Sequence, residues 1–143
     1  MLFVGTHERQ LDDKGRLALP VAFRTLLGEH CYLAKGKDKC VEVIPAETFE
    51  ADAAATMAAV NRGEASRQSR RALANSASLV AFDKQGRMKV DDALREYAEI
   101  PLDSTVRITG NFDRIEIWEP ARHLAIEAAG DDELASPDRP VVE

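Results

Sequence analysis

Short runs in which hydrophobic and polar residues alternate are spread along most of the chain, and they predict eight strands. The alternation is clearest after Gly15, because Arg16 and Ala18 would face outward while Leu17 and Leu19 would face a core. Clusters of Gly, Asp and Asn, which are typical of turns, separate several of these runs. The predicted strands cover residues 8–11, 16–19, 31–35, 40–44, 79–82, 87–90, 105–109 and 114–118.

The strand pattern belongs to an internal repeat. Residues 11–19 match residues 82–90 at an offset of 71. Three residues of an Asp-x-x-Gly-Arg turn are identical in the two copies: Asp12 and Asp83, Gly15 and Gly86, Arg16 and Arg87. Farther along, after three extra residues in the second copy, Gly36 matches Gly110, and residues 41–44 then match residues 115–118. Several matches in the same order indicate a tandem duplication.

Each copy predicts the element order β-β-α-β-β. In the turn, the Asp side chain can accept backbone N–H groups, and the Gly can adopt the positive φ of a tight hairpin. A short helix follows, over residues 20–27 in the first copy and from a cap at Asp91 or Asp92 to about Ala98 in the second. Because each copy has exposed strand edges, we expect the two to pair and close a small pseudo-twofold β-barrel with flanking helices, an α+β fold.

Further helices separate and follow the copies. One predicted helix begins at Pro45 and runs through residues 51–60, a second covers 65–75, and the last covers 121–129 and stops at Gly130. The acidic, Pro-containing stretch beyond Gly130 predicts disorder. The predicted division is a first unit at residues 1–50, connecting helices at 51–76, a second unit at 77–124, and a terminal helix end with an acidic disordered tail at 125–143.

The formal net charge of −6 is unevenly distributed. Residues 131–143 hold five acids and one base, which leaves −2 for the rest, and residues 62–71 hold four Arg and one Glu. DNA binding needs a local basic surface rather than a basic protein, so the charge neither favours nor excludes it. No apolar run approaches the roughly 20 residues that span a bilayer, and no signal peptide is recognisable. With two cysteines that fit a reducing compartment, we expect a cytoplasmic protein without a membrane partner.

Arg16 and Arg87 are the strongest candidates for chemistry. Pairing of the two copies would place both on one two-stranded ribbon, whose width fits the DNA major groove. A planar guanidinium can bind guanine O6 and N7 together, and Asp12 or Asp83 would brace it or hold the turn. Five basic residues near the turns are candidates for DNA phosphate contacts: Arg9, Lys14, Arg24, Lys84 and Arg95.

Structural roles stay open for several of these residues. An Asp-x-x-Gly-Arg sequence also forms ordinary hairpins with a solvated Arg. Arg24 and Arg95 could instead pair with acids such as Glu29 or Glu96. Three more arginines share one helix face, which could be solvated, contact another subunit or contact DNA: Arg67, Arg70 and Arg71.

Catalysis finds little support in the sequence. His7, His30 and His123 are scattered and have no Ser, Cys or Asp partner at a motif spacing. The sequence has no phosphate-binding glycine loop and no metal signature. We therefore expect no enzyme, no catalytic residue, no cofactor and no metal.

Four segments together resemble the MraZ family of bacterial regulators. They are 11–20 (LDDKGRLALP), 82–87 (FDKQGR), 94–98 (LREYA) and 115–118 (IEIW), and the resemblance extends over about residues 1–128. It implies two AbrB-like, swapped-hairpin domains in one chain. It also implies a sequence-specific DNA-binding regulator, typically a repressor, of the division and cell-wall gene cluster.

The resemblance further implies that the chain binds short direct repeats in its own promoter as a ring, commonly an octamer, in the cytoplasm and on the nucleoid. The family's Asp-x-x-x-Arg motif assigns the DNA contact to two pairs, Asp12 with Arg16 and Asp83 with Arg87. Four more residues lie inside these motifs: Lys14, Gly15, Gln85 and Gly86.

One departure from the family pattern affects the second motif. Asp91, followed by Asp92, replaces the usual Pro, and a negative pair near the second motif would favour Arg16 over Arg87 as the DNA contact. Two other functions remain alternatives. One is an antitoxin-like AbrB-fold protein that binds a toxin and its own promoter, which the short acidic tail argues against. The other is an assembly scaffold without DNA contact.

Overall fold

The computed structural model describes residues 2–138 and has an α+β fold. Within this range the chain forms eight strands, five α-helices and a one-turn 3-10 helix at Lys37–Lys39. No helix of the described range is long and apolar enough to cross a membrane. The elements, in chain order, are β1 Thr6–Leu11, β2 Arg16–Ala18, α1 Val21–Leu27, β3 His30–Lys35, β4 Val41–Pro45, α2 Ala46–Asn61, α3 Arg67–Ser76, β5 Ser78–Ala81, β6 Arg87–Lys89, α4 Asp92–Ala98, β7 Ser104–Gly110, β8 Ile115–Trp118 and α5 Pro120–Ala135.

Strands from the two repeats are combined in one antiparallel sheet. The sheet has the order β1-β7-β8-β4-β3-β5, and β2 and β6 form a separate two-stranded ribbon. β2 pairs with its repeat equivalent β6, and β4 pairs with its equivalent β8. The pairing of β1 with β7 is matched by that of β5 with β3. Each repeat therefore completes the strand edges of the other, as the sequence pattern predicts.

The core is shared by both repeats and follows the predicted alternation. Leu17 and Met88 face each other across the ribbon and are fully or almost fully buried. Arg16, Ala18 and Arg87, which alternate with them, are only half-buried. A buried Leu or Met side chain contributes about 1.5–3 kcal/mol, so the side of the ribbon that faces the core holds it in place. Its opposite side is free to carry polar chemistry.

Helix α5 is longer than the sequence predicts. It continues through Gly130 to Ala135, so the acidic residues that were expected to be disordered are helical up to that point. A Gly inside a helix costs only about 1 kcal/mol relative to Ala, and the flanking alanines favour the helix. The helix begins at a cap in which the Glu119 carboxylate accepts the N–H groups of Ala121 and Arg122. Residues 136–138 follow the helix, and residues 139–143 of the predicted tail lie outside the described residues.

The predicted N-cap of α4 is confirmed in position, but the side chain does not cap the helix. Asp91 occupies the N-cap position, but its side chain accepts no hydrogen bond from the helix. Its carboxylate instead accepts the hydroxyl of Ser78, at the start of β5. Asp92 lies inside the first turn of the helix. The Asp91 carboxylate therefore binds a hydroxyl on β5 and does not accept the backbone N–H groups of the first turn of α4.

Candidate nucleic-acid interface

The first turn is fixed by the side chain of Asp12. Its Oδ1 accepts the backbone N–H groups of Lys14, at 2.9 Å, and Arg16, at 2.8 Å. The backbone closes the hairpin, because Gly15 N–H donates to the Asp12 carbonyl at 3.2 Å and Asp12 N–H donates to the Arg16 carbonyl at 3.0 Å. Gly15 has a φ of 78°, which residues with a side chain rarely adopt. The sequence Asp-x-x-Gly-Arg therefore defines one specific turn.

The second turn repeats this geometry. Asp83 Oδ1 accepts the backbone N–H groups of Gln85 and Arg87, both at 2.9 Å. Gly86 has a φ of 77° and donates to the Asp83 carbonyl at 3.0 Å. The near-identity of the two turns means that Arg16 and Arg87 leave equivalent backbone positions.

Each motif Asp also orients the guanidinium of its own Arg. Arg16 Nε donates to Asp12 Oδ2 at 2.7 Å, and Arg87 Nε donates to Asp83 Oδ2 at 3.0 Å. Arg87 Nη1 lies 3.9 Å from Asp12 Oδ2, so the first carboxylate is close to both guanidinium groups. Among residues 2–138, the hydrogen bonds of these two guanidinium groups involve only Nε. The terminal nitrogens, which form the fork that recognises paired acceptors, stay available.

These contacts keep the motif carboxylates ionised. The backbone N–H of Arg16 is the largest cause that lowers the pKa of Asp12, and the Lys14 N–H and the Arg16 guanidinium lower it further, to about 2. The pKa of Asp83 is lowered in the same way, first by the backbone N–H of Arg87. An ionised, acceptor-only carboxylate is what each Arg Nε–H requires, so each pair is electrostatically self-consistent.

The outer side of the ribbon carries three cations. The register pairs Arg16 with Lys89 and Ala18 with Arg87, so the small Ala18 lies among three basic side chains. Lys89 is exposed and was missed as a candidate site residue. The signal was present, because Lys89 takes the place of Ala18 in the repeat and has the same alternation phase as Arg87. The ribbon surface is hereafter the outward side of Arg16, Ala18, Arg87 and Lys89.

Asp91 and Asp92 lie beside the first turn rather than the second. Antiparallel pairing places the residues that follow β6 next to those that precede β2, and Val90 N–H donates to the Gly15 carbonyl at 2.8 Å. Both carboxylates have partners, since Asp91 binds the Ser78 hydroxyl and Asp92 binds Arg95. The prediction that Asp91 and Asp92 lie next to the second motif is therefore wrong, and these acids give no reason to prefer Arg16 over Arg87.

Arg24 and Arg95 lie against the turn of the opposite repeat. Arg95 Nε would be 3.3 Å from a Cβ atom on Gly15, and a Cβ atom on Gly86 would overlap the Arg24 guanidinium. Arg95 forms an ion pair with Asp92 and not with Glu96, which the sequence leaves as a possible partner. The Nε of Arg95 donates to the Val90 carbonyl at 3.3 Å.

The environments of these two arginines differ because Val21 stands in the first repeat where Asp92 stands in the second. The Arg95 side chain is only 12% exposed. Arg24, in contrast, has no ion pair with any residue of the 2–138 range and lines an open groove beside the second turn. Arg24 is therefore the more available of the two for a phosphate.

The loop after α4, which contains the extra residues of the second repeat, lies against the first turn. A Cβ atom on Gly15 would lie 3.8 Å from Leu102, and Asp103 N–H donates to the Asp12 carbonyl at 3.3 Å. The loop after α4 thus packs against the first turn. The second turn has an open groove instead, which Arg24, Thr25, Gly28 and Glu29 line on the side of α1.

The other predicted contacts surround the ribbon surface unevenly. Lys14, Lys84 and Gln85 are exposed at the tips of the two turns. Arg9 is exposed on β1, where its Nη1 donates to the neighbouring Glu8 carbonyl at 2.8 Å. The helical arginines Arg67, Arg70 and Arg71 lie on α3, which packs on β3 and α2 and is not part of the ribbon.

One cluster with metal-ligand chemistry exists in the described range, and its members have protein partners. Cys40 Sγ and carboxylate oxygens of Glu42 and Glu116 lie within 4.8 Å of one another. Glu42 pairs with Arg114 at 3.2 Å, and Glu116 accepts the indole N–H of Trp118 at 3.2 Å. Burial raises the pKa of the Cys40 thiol far above its usual range, so the sulfur stays protonated. We assign no metal to this cluster.

The Asp12 carboxylate should make the free energy of unfolding depend on pH in acid. Because the pKa of Asp12 is about 2 in the folded chain against an ordinary 3.8, its contribution is fully present above 3.8 and is lost as pH falls through that window. We expect the free energy of unfolding of the wild type to approach that of Asp12→Asn between those pH values. Urea titrations of both proteins at each pH would measure this, and a constant difference would contradict it.

The chain is similar to one protein family and to several proteins over most of its length. Residues 2–71 and 73–139 match the family described as "MraZ protein, putative antitoxin-like". A protein of Nocardioides sp. named transcriptional regulator MraZ is 38% identical over 138 residues, 96% of this chain and 94% of that protein. Proteins of the same name from Salinispora tropica and Corynebacterium urealyticum are 37% and 40% identical, covering 94% and 92% of this chain and 93% and 96% of their own lengths.

Proposed function

The chain belongs to the MraZ family, and we propose that it is a transcriptional regulator that binds double-stranded DNA sequence-specifically through the ribbon surface. One observation carries the proposal. Two arginines on one two-stranded ribbon are each braced at Nε by a motif Asp, at 2.7 Å and 3.0 Å. Nothing in this arrangement supplies a nucleophile or a general base, and we infer that the chain is not an enzyme.

The ribbon surface has the shape and chemistry for reading base edges. A two-stranded ribbon fits the major groove, where guanine presents O6 and N7 as a pair of acceptors. The Asp partners hold Arg16 and Arg87 in fixed orientations, so less side-chain entropy is lost when each fork binds. Ala18 between the cations leaves room for a base pair to approach. Guanine is therefore the expected base opposite each Arg.

Phosphate contacts would come from the surrounding cations. We assign these contacts to five basic residues at or near the ribbon surface and the turn tips: Arg9, Lys14, Arg24, Lys84 and Lys89. Such contacts position the protein without reading sequence. Arg95 is engaged with Asp92, and we assign it the role of holding the first turn.

The wider setting follows from family membership and is part of the proposal. The chain would repress the division and cell-wall gene cluster by binding short direct repeats in its own promoter, as a ring-shaped, commonly octameric, assembly on the nucleoid. The pairing of β2 with β6 and of β4 with β8 supports a pseudo-twofold, swapped-hairpin barrel built from residues 1–50 and 77–124.

A binding titration tests the proposal. Fluorescence anisotropy would compare a duplex from the region upstream of the gene with a scrambled duplex of equal length and composition. Specific binding is expected to be roughly a thousandfold tighter or more, as for typical regulators. Equal affinity for both duplexes at every salt concentration would refute sequence-specific reading.

Lys89→Ala should weaken binding to both duplexes by a similar factor, because Lys89 is assigned a phosphate. The slope of log affinity against log salt should become shallower by about 0.9 for the contact that each chain loses. Lys37→Ala, on the turn between β3 and β4, removes an exposed cation away from the ribbon and is the matched control. A loss confined to the specific duplex would assign Lys89 to a base instead.

A second candidate function is an antitoxin-like protein, which the family's description favours. An antitoxin of this fold would cover its toxin with a flexible acidic segment. Here the acidic residues as far as Ala135 belong to helix α5 and not to a flexible segment. A toxin gene beside this one, with its product bound by the purified chain, would support the antitoxin; division and cell-wall genes downstream would support the regulator.

A further inference from the structure

Three helices have faces that nothing covers in the described part of the chain. α2 and α3 contain no buried residue, and α5 contains only His123. Large apolar side chains on α5 are exposed, Leu124 by 56% and Leu134 by 63%. Helices in globular proteins are stabilised mainly by tertiary packing of one face. These faces are therefore suited to a partner.

One uncovered face is basic. Arg67, Arg70 and Arg71 are exposed in the first half of α3, and they form no ion pair with another residue of the 2–138 range. The N-terminal half of a helix is the positive end of its macrodipole, where cations are unfavourable. The first turn contains no acid to compensate. We call these three residues the basic α3 face.

Another uncovered surface is acidic. Asp131, Asp132 and Glu133 are exposed near the C-terminal end of α5, and they too have no ion pair within the described range. That end is the negative end of the macrodipole, and its last turn holds no basic residue. We call these three residues the acidic α5 end. Both clusters thus lie where their own helix disfavours them and an opposite charge would compensate.

The two clusters belong to opposite flanks of the sheet. α3 packs on β3, α5 packs on β7, and β4 and β8 separate those strands. We propose that the basic α3 face of one chain docks on the acidic α5 end of a second copy, head to tail. This inference rests on the proposed oligomer and names the surfaces that build it.

Charge and apolar contact would act together in this docking. Exposed ion pairs are individually weak and are screened by salt, so the exposed side chains of Leu124 and Leu134 would add apolar area. Because the two surfaces differ, every chain keeps one surface of each kind free for another neighbour. Such heterologous contacts produce rings when the rotation closes.

Charge reversal with complementation tests the docking on the full chain. One variant carries Arg67→Glu, Arg70→Glu and Arg71→Glu; the other carries Asp131→Lys, Asp132→Lys and Glu133→Lys. Each alone is expected to self-associate at least roughly tenfold more weakly than the wild type, because like charges would meet. An equal mixture should regain the assembled mass, measured by light scattering at low salt.

The matched control reverses two exposed charges outside both surfaces, Lys37→Glu with Glu96→Lys, and should assemble like the wild type. Three results would overturn the docking: a monomeric wild type, reversed variants of unchanged mass, or a mixture that fails to assemble. An α3 reversal that weakens DNA binding without changing mass would also overturn it. Assembly as expected without binding to a promoter duplex would refute only the proposed function.

Discussion

Arg16→Ala is expected to weaken specific binding to the promoter by about fivefold to 150-fold per site, because one bidentate contact to guanine contributes about 1–3 kcal/mol of discrimination. The loss should be confined to the specific duplex. Leu17 anchors the ribbon from the core side, so the fold and the assembled mass should stay unchanged. Competition titrations with single-base-pair variants of the site would show relaxed discrimination at one position, the base that Arg16 reads.

Arg87→Ala should have an effect of the same order, since both guanidinium groups are braced alike and the acids after β6 lie beside the first turn. Arg16→Lys is the matched control for charge. It keeps the cation but loses the planar fork, so it should retain the salt slope and still lose discrimination. An Arg16→Ala protein with full specific affinity would remove the assigned contact, whereas a loss for Arg16 alone would make the repeats unequal.

Sequence reasoning predicted the strands and turns of both repeats because those features depend on local chemistry. The Asp side chain caps its own turn, the Gly supplies the positive φ, and the alternation from Arg16 to Leu19 places each side chain on one side of the ribbon. The repeat predicted that the two units pair with each other, since both have open edges, but it did not assign the partner of each strand. The location of Arg16 and Arg87 on one ribbon follows from these rules.

Contacts between residues far apart in sequence escaped prediction. Asp91 and Asp92 follow the second motif in the chain, and the sequence therefore predicted that they lie beside it. Antiparallel pairing instead brings the preceding residue, Val90, into hydrogen-bond contact with Gly15 of the first turn. Arg95 forms its ion pair with Asp92, and Arg24 has no equivalent partner within the described range because Val21 takes the place of Asp92 in the first repeat. Helix α5 continues through Gly130, although a Gly often ends a helix. Tertiary geometry decided only the first of these differences. Arg95 and Asp92 are three residues apart on one helix, and α5 continues past Gly130 because of local helix preference.

Gly86→Ala is expected to destabilise the protein by about 1.5–3.5 kcal/mol, from two causes of different origin. A left-handed backbone costs an Ala about 1–2 kcal/mol, and the φ of Gly86 is 77°. In addition, the new Cβ would overlap the guanidinium at the end of the flexible Arg24 side chain. Moving that side chain away from the turn should cost about 0.5–1.5 kcal/mol, the cost of a side chain displaced from its preferred rotamer. Urea unfolding would measure the total.

A double-mutant cycle separates the two causes. If Arg24 occupies the space beneath Gly86, Arg24→Ala should relieve the overlap, and the pair should be less destabilised than the sum of the single variants by roughly 0.5–1.5 kcal/mol. Gly15→Ala with Arg95→Ala is the matched pair at the first turn. There the Cβ would lie 3.1 Å from the Val90 carbonyl oxygen, a backbone atom that Arg95→Ala does not remove. The coupling energy of this pair should therefore be smaller than that of Gly86→Ala with Arg24→Ala. Equal coupling energies at both turns would contradict the contact between the Arg24 guanidinium and Gly86.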